Sequence, residues 1–254
     1  MRSRCWFKTA LCSAALATAL LTGCGGQAAH DPFAYDRTKP LAERSGGVVM
    51  SSSNLVVRLV SYAGAGGARV NGFLLVPKGG GRHPAVLFLH GSGGNREDLL
   101  LPAAELAAHG AVTMTISQPN NAQTFRPLVV NARRALDLLV ARKDVDAHRL
   151  GLVGFSLGAQ TAAILAGDDR RLSAIGIVAG RGSRTPLTWI RKARAHLFFQ
   201  AGAHDDHVPH SQLVALIRAA PGHPRVRWYD TRHGMSRASF DEMVAWQAAR
   251  LGLR

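Results

Sequence analysis

The sequence predicts an α/β fold in which a mostly parallel, twisted sheet carries helices on both faces. From residue 85 onward, short apolar runs alternate with amphipathic stretches, which is the pattern of repeated strand–helix units. Before that point, two segments alternate apolar and polar positions and indicate antiparallel strands. Of the 254 residues, 47% are apolar, which is enough for one large buried core.

The predicted elements follow in a regular order along the chain. Segments 55–62 and 69–76 are predicted to form a hairpin across the glycine-rich stretch 63–67. Further strands are predicted at 85–89, 111–116, 149–153, 172–178, 196–201 and 225–229, with helices at 97–109, 127–142 and 159–166 and a last helix that carries Phe240, Met243, Val244 and Leu251. The connection 179–195 is too short for a helical lid, so no lid domain is expected.

The first 23 residues are predicted to be a lipoprotein signal peptide. Residues 1–8 are basic, and residues 9–21 are apolar but too few to span a bilayer unaided. The segment ends in Leu-Thr-Gly-Cys24, which resembles a bacterial lipobox. That resemblance implies cleavage before Cys24, a lipid on this cysteine, and an anchored, extracytoplasmic location in the bacterial cell envelope. A plain secretory signal and an uncleaved anchor are the alternatives.

Charge and cysteine content set limits on partners. Beyond residue 23 the chain has 28 basic and 16 acidic residues, a net charge of +12. This excess fits either attraction to anionic lipids and cell-wall polymers or arginines spread over solvated faces, and the sequence favours the second interpretation. No basic block or nucleic-acid motif is present, so no nucleic-acid partner is expected.

All three cysteines precede residue 25, which leaves none for a disulfide. Residues 24–47 are predicted to be a flexible tether and residues 48–254 the folded domain.

Gly154-Phe155-Ser156-Leu157-Gly158 is the motif that points to chemistry. It lies between a predicted strand and a predicted helix, which is the setting of a G-x-S-x-G nucleophile elbow. Taken alone, the motif also fits an ordinary strand-to-helix turn with a non-catalytic serine. A catalytic serine needs an imidazole to accept its proton and an acid to orient that imidazole.

Candidates for both partners follow later strands. Asp205 lies directly after the strand 196–201, and His233 lies after the strand 225–229. The carboxyl ends of parallel strands meet at one edge of a sheet, so both side chains are expected near Ser156. The neighbouring Asp206 is the alternative acid.

These motifs carry a family resemblance. The pattern Gly-x-x-Asp-x-x-Val-Pro at 202–209 is similar to the acid loop of many α/β-hydrolases. The approach to the elbow at 145–158 resembles the dienelactone-hydrolase-like and bacterial serine esterase branch. The resemblance implies an α/β-hydrolase fold and a catalytic Ser156–His233–Asp205 triad without a cofactor. It also implies an oxyanion hole made by the N–H groups of Leu157 and of Ser92, which follows His90-Gly91.

The predicted activity is hydrolysis of carboxylic esters on small molecules or polymer ends. Dienelactone hydrolases use a cysteine nucleophile, and the serine in this chain favours ordinary esters. A serine peptidase or amidase and a non-catalytic surface binding protein are the alternatives. Phe155 and Trp189 are candidate walls of an acyl pocket, although the sequence favours buried packing as the role of each. The spacing of His204, His207 and His210, with His196 nearby, matches no zinc ligand set, so no metal site is expected.

Overall fold

The computed structural model describes residues 31–253. Residues 32–253 belong to a compact unit that spans Pro32–Arg254. The predicted signal peptide and Cys24 lie outside the described residues. Within residues 31–253, no helix is both long enough and apolar enough to cross a bilayer.

The described chain forms one nine-stranded sheet in the order β1-β2-β3-β5-β4-β6-β7-β8-β9. Three strand pairs at one side, β1/β2, β2/β3 and β3/β5, are antiparallel, and the remaining pairs are parallel. The predicted mostly parallel sheet with an antiparallel start is therefore confirmed. The strands are β1 (Arg44–Ser51), β2 (Leu55–Ala63), β3 (Arg69–Pro77), β4 (His83–Leu89), β5 (Val112–Ile116), β6 (Val145–Phe155), β7 (Leu172–Val178), β8 (His196–Gly202) and β9 (Arg225–Tyr229).

Helices cover both faces of this sheet, as expected for an α/β-hydrolase fold. They are α1 (Leu100–Ala108), α2 (Phe125–Val140), α3 (Leu157–Asp168), α4 (Arg184–Ile190), α5 (His210–Ala219) and α6 (Arg237–Arg250). Helices α2 to α5 pack on one face, and α1 and α6 pack on the other. Helices α4 and α5 were not among the elements that the sequence predicts. Between β7 and β8 lies only α4, which has seven residues and forms no lid domain.

The central strand β4 is apolar from Pro84 to Leu89, because helices cover both of its faces. Leu87 and Leu89 face the helices α2 to α5, whereas Val86 and Phe88 face α1 and α6. All four side chains are buried. A parallel strand covered by helices on both sides has no solvated face, so it cannot show the alternation of β2 and β3.

The structure differs from the prediction at the N-terminal side of the domain. A flexible tether is predicted through residue 47, but β1 already begins at Arg44. Residues 32–43, here called the N-terminal strap, pack against the domain surface. Phe33 is only 4% exposed, and its ring lies 5.4 Å from the ring of Trp189 on α4. Burying a phenylalanine in this way stabilises a fold by roughly 2–3 kcal/mol.

Arginines of α2 hold the strap through its backbone. Arg126 donates hydrogen bonds to two strap carbonyls at 2.9 and 2.8 Å. Arg134, which is buried, donates to the carbonyl of Pro40 at 2.7 Å. The hydroxyl of Tyr35 donates to Asp137 at 2.5 Å. Because the acceptors are main-chain carbonyls, the strap sequence needs no recognisable periodicity to make these contacts.

Candidate active site

Ser156 lies between the end of β6 and the start of α3, at φ 53° and ψ −109°. This left-handed backbone is costly for a residue with a side chain and is typical of functional sites. The two flanking glycines allow the turn to close. A Cβ on Gly154 would lie 2.2 Å from the carbonyl oxygen of Gly158, and a Cβ on Gly158 would lie 2.1 Å from that of Leu89. The G-x-S-x-G motif thus has the elbow geometry that the sequence predicts.

His233 reaches Ser156 from the loop after β9. Its Nε2 lies 3.0 Å from the Ser156 Oγ, and its Nδ1 lies 2.9 and 3.1 Å from the two oxygens of Asp205. An ionised Asp205 requires the proton on Nδ1, which leaves Nε2 free to accept the serine proton. The structure therefore brings together the three side chains that the sequence singles out, in hydrogen-bonding order.

The acid loop distinguishes two adjacent aspartates. The side chain of Asp205 is 1% exposed, and its carboxylate accepts backbone N–H groups of His207 at 2.9 Å and Val208 at 2.8 Å. Asp206 instead pairs with Arg232 and with the ring of His207. The hydrogen bond from His207 lowers the pKa of Asp206 to about 2, so this exposed carboxyl stays ionised. Of the two candidate acids, only Asp205 contacts the His233 ring.

The loop after β4 lies against the nucleophile. A Cβ on Gly91 would come within 3.2 Å of the Ser156 Cβ, so the backbone of this loop is close to the reacting hydroxyl. His90 fixes the loop from behind. Its Nε2 accepts the Gln118 backbone N–H at 2.8 Å, so its Nδ1 carries the proton and donates to the Gly91 carbonyl at 2.6 Å. Ser92 follows this fixed segment and lines the same cleft as Ser156.

The cleft above Ser156 has a volume of about 630 Å³ and two kinds of wall. Phe155, a predicted pocket residue, lines it, and its ring lies 5.2 Å from that of His233. Trp189, the other candidate, packs against Phe33 instead. The sequence does not predict the remaining wall residues, because loops and helix ends bring them together without any motif. The apolar ones are Phe125 and Val208, and the polar ones are Gln160, Arg181, Ser183 and His207.

The model of the dienelactone hydrolase family matches residues 113–250, which is more than half of the chain. The chain belongs to the dienelactone hydrolase family. The matched segment contains the elbow, the acid loop and the loop of His233. The resemblance that the sequence motifs indicate is therefore confirmed at the level of the family. No sequence among the curated proteins matches the chain.

Solved structures show the same fold at low sequence identity. An acetyl xylan esterase from Paenibacillus sp. R4 has a TM-score of 0.73 at 20% identity, with 84% of this chain and 90% of that chain covered. Acetyl xylan esterase 1 from Thermoanaerobacterium sp. JW/SL YS485 has a TM-score of 0.73 at 15% identity, covering 83% and 88%. A cold-adapted esterase from an Arctic intertidal metagenomic library has a TM-score of 0.71 at 15% identity, covering 81% and 97%.

In this member of the dienelactone hydrolase family, the candidate metal-ligating atoms near Ser156 already make hydrogen bonds. Among residues 31–253, one group has donor atoms close enough for a metal, with Asp205, His207 and His233 atoms within 4.8 Å of one another. Both nitrogens of His233 already contact Ser156 or Asp205, so a metal bound there would break one of these two hydrogen bonds. His204 pairs with Asp230 at 2.9 Å, and the ring of His210 stacks on Trp228.

Proposed function

We propose that this chain is a lidless serine esterase in which Ser156, His233 and Asp205 form the catalytic triad. The observation that carries the proposal is the continuous chain of hydrogen bonds from Asp205 through His233 to the Ser156 hydroxyl, at 2.9 and 3.0 Å, at the floor of an open cleft. Membership of a hydrolase family and the esterase neighbours support it.

In the first half-reaction, the Ser156 Oγ attacks the ester carbonyl carbon and its proton passes to Nε2 of His233. The carbonyl oxygen becomes an oxyanion, and the N–H groups of Ser92 and Leu157 are proposed to bind it. The N–H of Leu157 lies at the start of α3, where the helix dipole adds a favourable field. When the intermediate collapses, the ester C–O bond breaks and the departing oxygen takes the proton from Nε2. An acyl group then remains on Ser156.

In the second half-reaction, water replaces the alcohol. The water oxygen attacks the acyl carbon while His233 Nε2 accepts its proton, and the same two N–H groups bind the new oxyanion. Collapse breaks the bond to Ser156, whose Oγ recovers the proton from Nε2. Asp205 stays ionised throughout and stabilises the imidazolium in both steps. The protein side chains account for every proton, and no cofactor is required by this scheme.

The cleft favours a small acyl group joined to a polar alcohol. Phe125, Phe155 and Val208 provide apolar surface, whereas Gln160 and Ser183, joined by a 3.1 Å hydrogen bond, provide polar groups on another side. We propose that substrates are esters on small molecules or at polymer ends. The similar fold of two acetyl xylan esterases supports this proposal.

Replacement of the nucleophile tests the activity. Ser156→Ala should lower kcat/KM on short-chain p-nitrophenyl esters by about 10⁶-fold, since the triad acts as a unit. The far-ultraviolet circular dichroism spectrum and the thermal unfolding midpoint should stay unchanged, because this side chain packs against nothing essential to the fold. Turnover that persists in the folded variant would refute the mechanism. Rates on an ester and on the matching anilide separate an esterase from a peptidase or amidase.

We also propose that the mature chain begins at a lipid-modified Cys24 and lies in the bacterial cell envelope, outside the cytoplasm. The lipobox-like ending of the leader supports this proposal. Mass spectrometry of the mature N-terminus tests it: the expected product is residue 24 with attached acyl chains. An unmodified N-terminus elsewhere in the first thirty residues would contradict it.

A further inference from the structure

The segment from residue 170 to residue 204 contains no aspartate or glutamate, yet it contains seven lysines and arginines. Five of them cluster on and around α4. They are all exposed, and together they are called the α4 basic face: Arg181, Arg184, Arg191, Lys192 and Arg194. The sequence favours the interpretation that arginines are spread over solvated faces. The structure shows a local excess at α4.

Helix geometry directs these charges to solvent along one stripe. Arg184, Thr188 and Arg191 follow at intervals of four and three residues and are exposed, whereas Pro186 and Ile190 are buried beneath them. In the described part of the chain, Arg184, Arg191 and Arg194 contact no carboxylate. Two carboxylates at the end of α3, which packs against α4, already bind other arginines: Asp168 binds Arg133 and Asp169 binds Arg171. The face therefore keeps its full positive charge.

The start of the described chain lies against the same helix. The ring of Phe33 packs on Trp189, and the Nζ of Lys192 lies 4.3 Å from the centre of that same ring. Eight peptide steps separate Pro32 from Cys24. A fully extended chain of that length spans at most about 28 Å. A lipid on Cys24 would thus keep the N-terminal strap, and the α4 surface beside it, within this distance of the bilayer.

We propose that the α4 basic face docks on an anionic lipid surface; this inference rests on the lipid anchor proposed above. The lipid on Cys24 would hold the domain near the bilayer, and a basic patch on the side that faces the bilayer would then be attracted to anionic headgroups. The face has the required sign of charge, and the short connection to Cys24 restricts which side of the domain can meet the headgroups. Arg181 belongs both to this face and to the cleft wall, so docking places the cleft at the edge of the membrane contact.

Vesicle binding of a charge-neutralised variant tests the proposal. The mature chain from residue 24 with Cys24→Ser, which cannot carry the lipid, should bind phosphatidylglycerol-containing vesicles and not pure phosphatidylcholine vesicles. The triple variant Arg184→Gln, Arg191→Gln, Arg194→Gln should bind about 100-fold more weakly, since each basic residue near an anionic surface contributes about fivefold. Hydrolysis of a soluble ester, measured on the same samples, reports the proposed activity separately.

A second triple variant controls for net charge. Arg44→Gln, Arg58→Gln and Lys78→Gln remove the same three charges from exposed sites on β1, on β2 and directly after β3, toward the edge of the sheet opposite the strands that flank α4. This variant should keep vesicle binding within about threefold of the parent. Equal weakening by both triple variants would overturn the proposal, because binding would then reflect overall charge. Binding to soluble polyglycerol phosphate without binding to the vesicles would also overturn it.

Site-specific labels test which side faces the lipid. The Cys24→Ser mature chain has no other cysteine, so Thr188→Cys on α4 and Ala249→Cys on α6 each introduce a single labelling site, and both positions are exposed. With a fluorophore attached, the label at residue 188 should be quenched by spin-labelled lipid headgroups and the label at residue 249 should not. Equal quenching, or stronger quenching at residue 249, would show that another face docks.

Discussion

The proposed catalytic triad and the N-terminal strap both join segments that are far apart in the chain, but they use different partners. Ser156, His233 and Asp205 meet through side-chain hydrogen bonds. The strap is held mainly by arginine side chains that bind its backbone carbonyls, and by one buried ring, Phe33. The first arrangement depends on particular residue types, whereas the second depends on where the main chain runs. Changes in the triad should therefore affect activity, and changes at the strap should affect stability.

The largest effect after loss of Ser156 itself is expected in the acid loop. Asp205→Asn should lower kcat by about 10⁴-fold, because a neutral amide no longer fixes the proton on Nδ1 of His233. Asp206→Asn is the matched control and should change kcat by less than about tenfold, since Asp206 contacts Arg232 and His207 at the surface. Its Oδ1 also accepts the backbone N–H of His233 at 3.4 Å, and asparagine keeps this acceptor. Steady-state kinetics on one ester measures both. Similar losses in the two variants would remove the distinction between the adjacent carboxylates.

A glycine substitution at the elbow should lower both stability and activity, unlike a change confined to a triad side chain or to the strap. Gly158→Ala places a methyl group 2.1 Å from the carbonyl oxygen of Leu89 and should cost about 4 kcal/mol of unfolding free energy. Gly79→Ala is the control, because no atom lies within 4 Å of its added Cβ. Urea unfolding measures the two free energies. A Gly158→Ala variant as stable as the parent would mean that strand and helix can separate at little cost.

At the strap, a change should lower stability and leave catalysis intact. Phe33→Ala removes a ring that is 4% exposed and should cost about 3 kcal/mol of unfolding free energy. The control Val49→Ala, at a side chain that is 56% exposed, should cost less than about 0.5 kcal/mol. Both variants should keep the parental kcat below their unfolding temperatures. A large fall in kcat for Phe33→Ala would show that the strap also shapes the cleft.

The smallest expected effect concerns acid sensitivity near the strap. Burial alone would raise the pKa of Asp169, but the hydrogen bonds and charge of Arg171 outweigh it and lower this pKa. A lowered carboxyl pKa stabilises the fold above the unfolded value of about 4, and this contribution is lost as the pH falls through the lower folded value. Asp169→Asn should cost about 1 kcal/mol at neutral pH.

The pH dependence of that variant is the informative measurement. Urea midpoints recorded from neutral pH down to about pH 2 should fall less steeply below pH 4 for Asp169→Asn than for the parent. Parallel curves would mean that other carboxylates dominate the acid limb. Arg171 also binds Asp137, which in turn accepts the Tyr35 hydroxyl, so this network ends at the strap.

The sequence sufficed to predict those parts of the molecule that depend on residue type at fixed spacing. Ser156 sits in a motif whose glycines are required by close backbone contacts, and Asp205 and His233 follow strands of clear apolar pattern. The sequence predicts a tether where the structure has the strap. The strap is held through its main-chain carbonyls, and because every residue has one, this kind of contact leaves no pattern in the sequence. The sequence does not predict that Gln160 and Ser183 line the cleft, for a related reason: only the path of the chain between β7 and α4 brings them into contact.

The serine at the elbow has a consequence for the chemical environments in which this hydrolase can work. A cysteine nucleophile is open to sulfenic and sulfinic acid formation, and it reacts with alkylating agents. The Ser156 hydroxyl undergoes neither reaction, and no thiol occurs after residue 24. Peroxide or iodoacetamide at doses that inactivate thiol enzymes should therefore leave its proposed esterase activity unchanged.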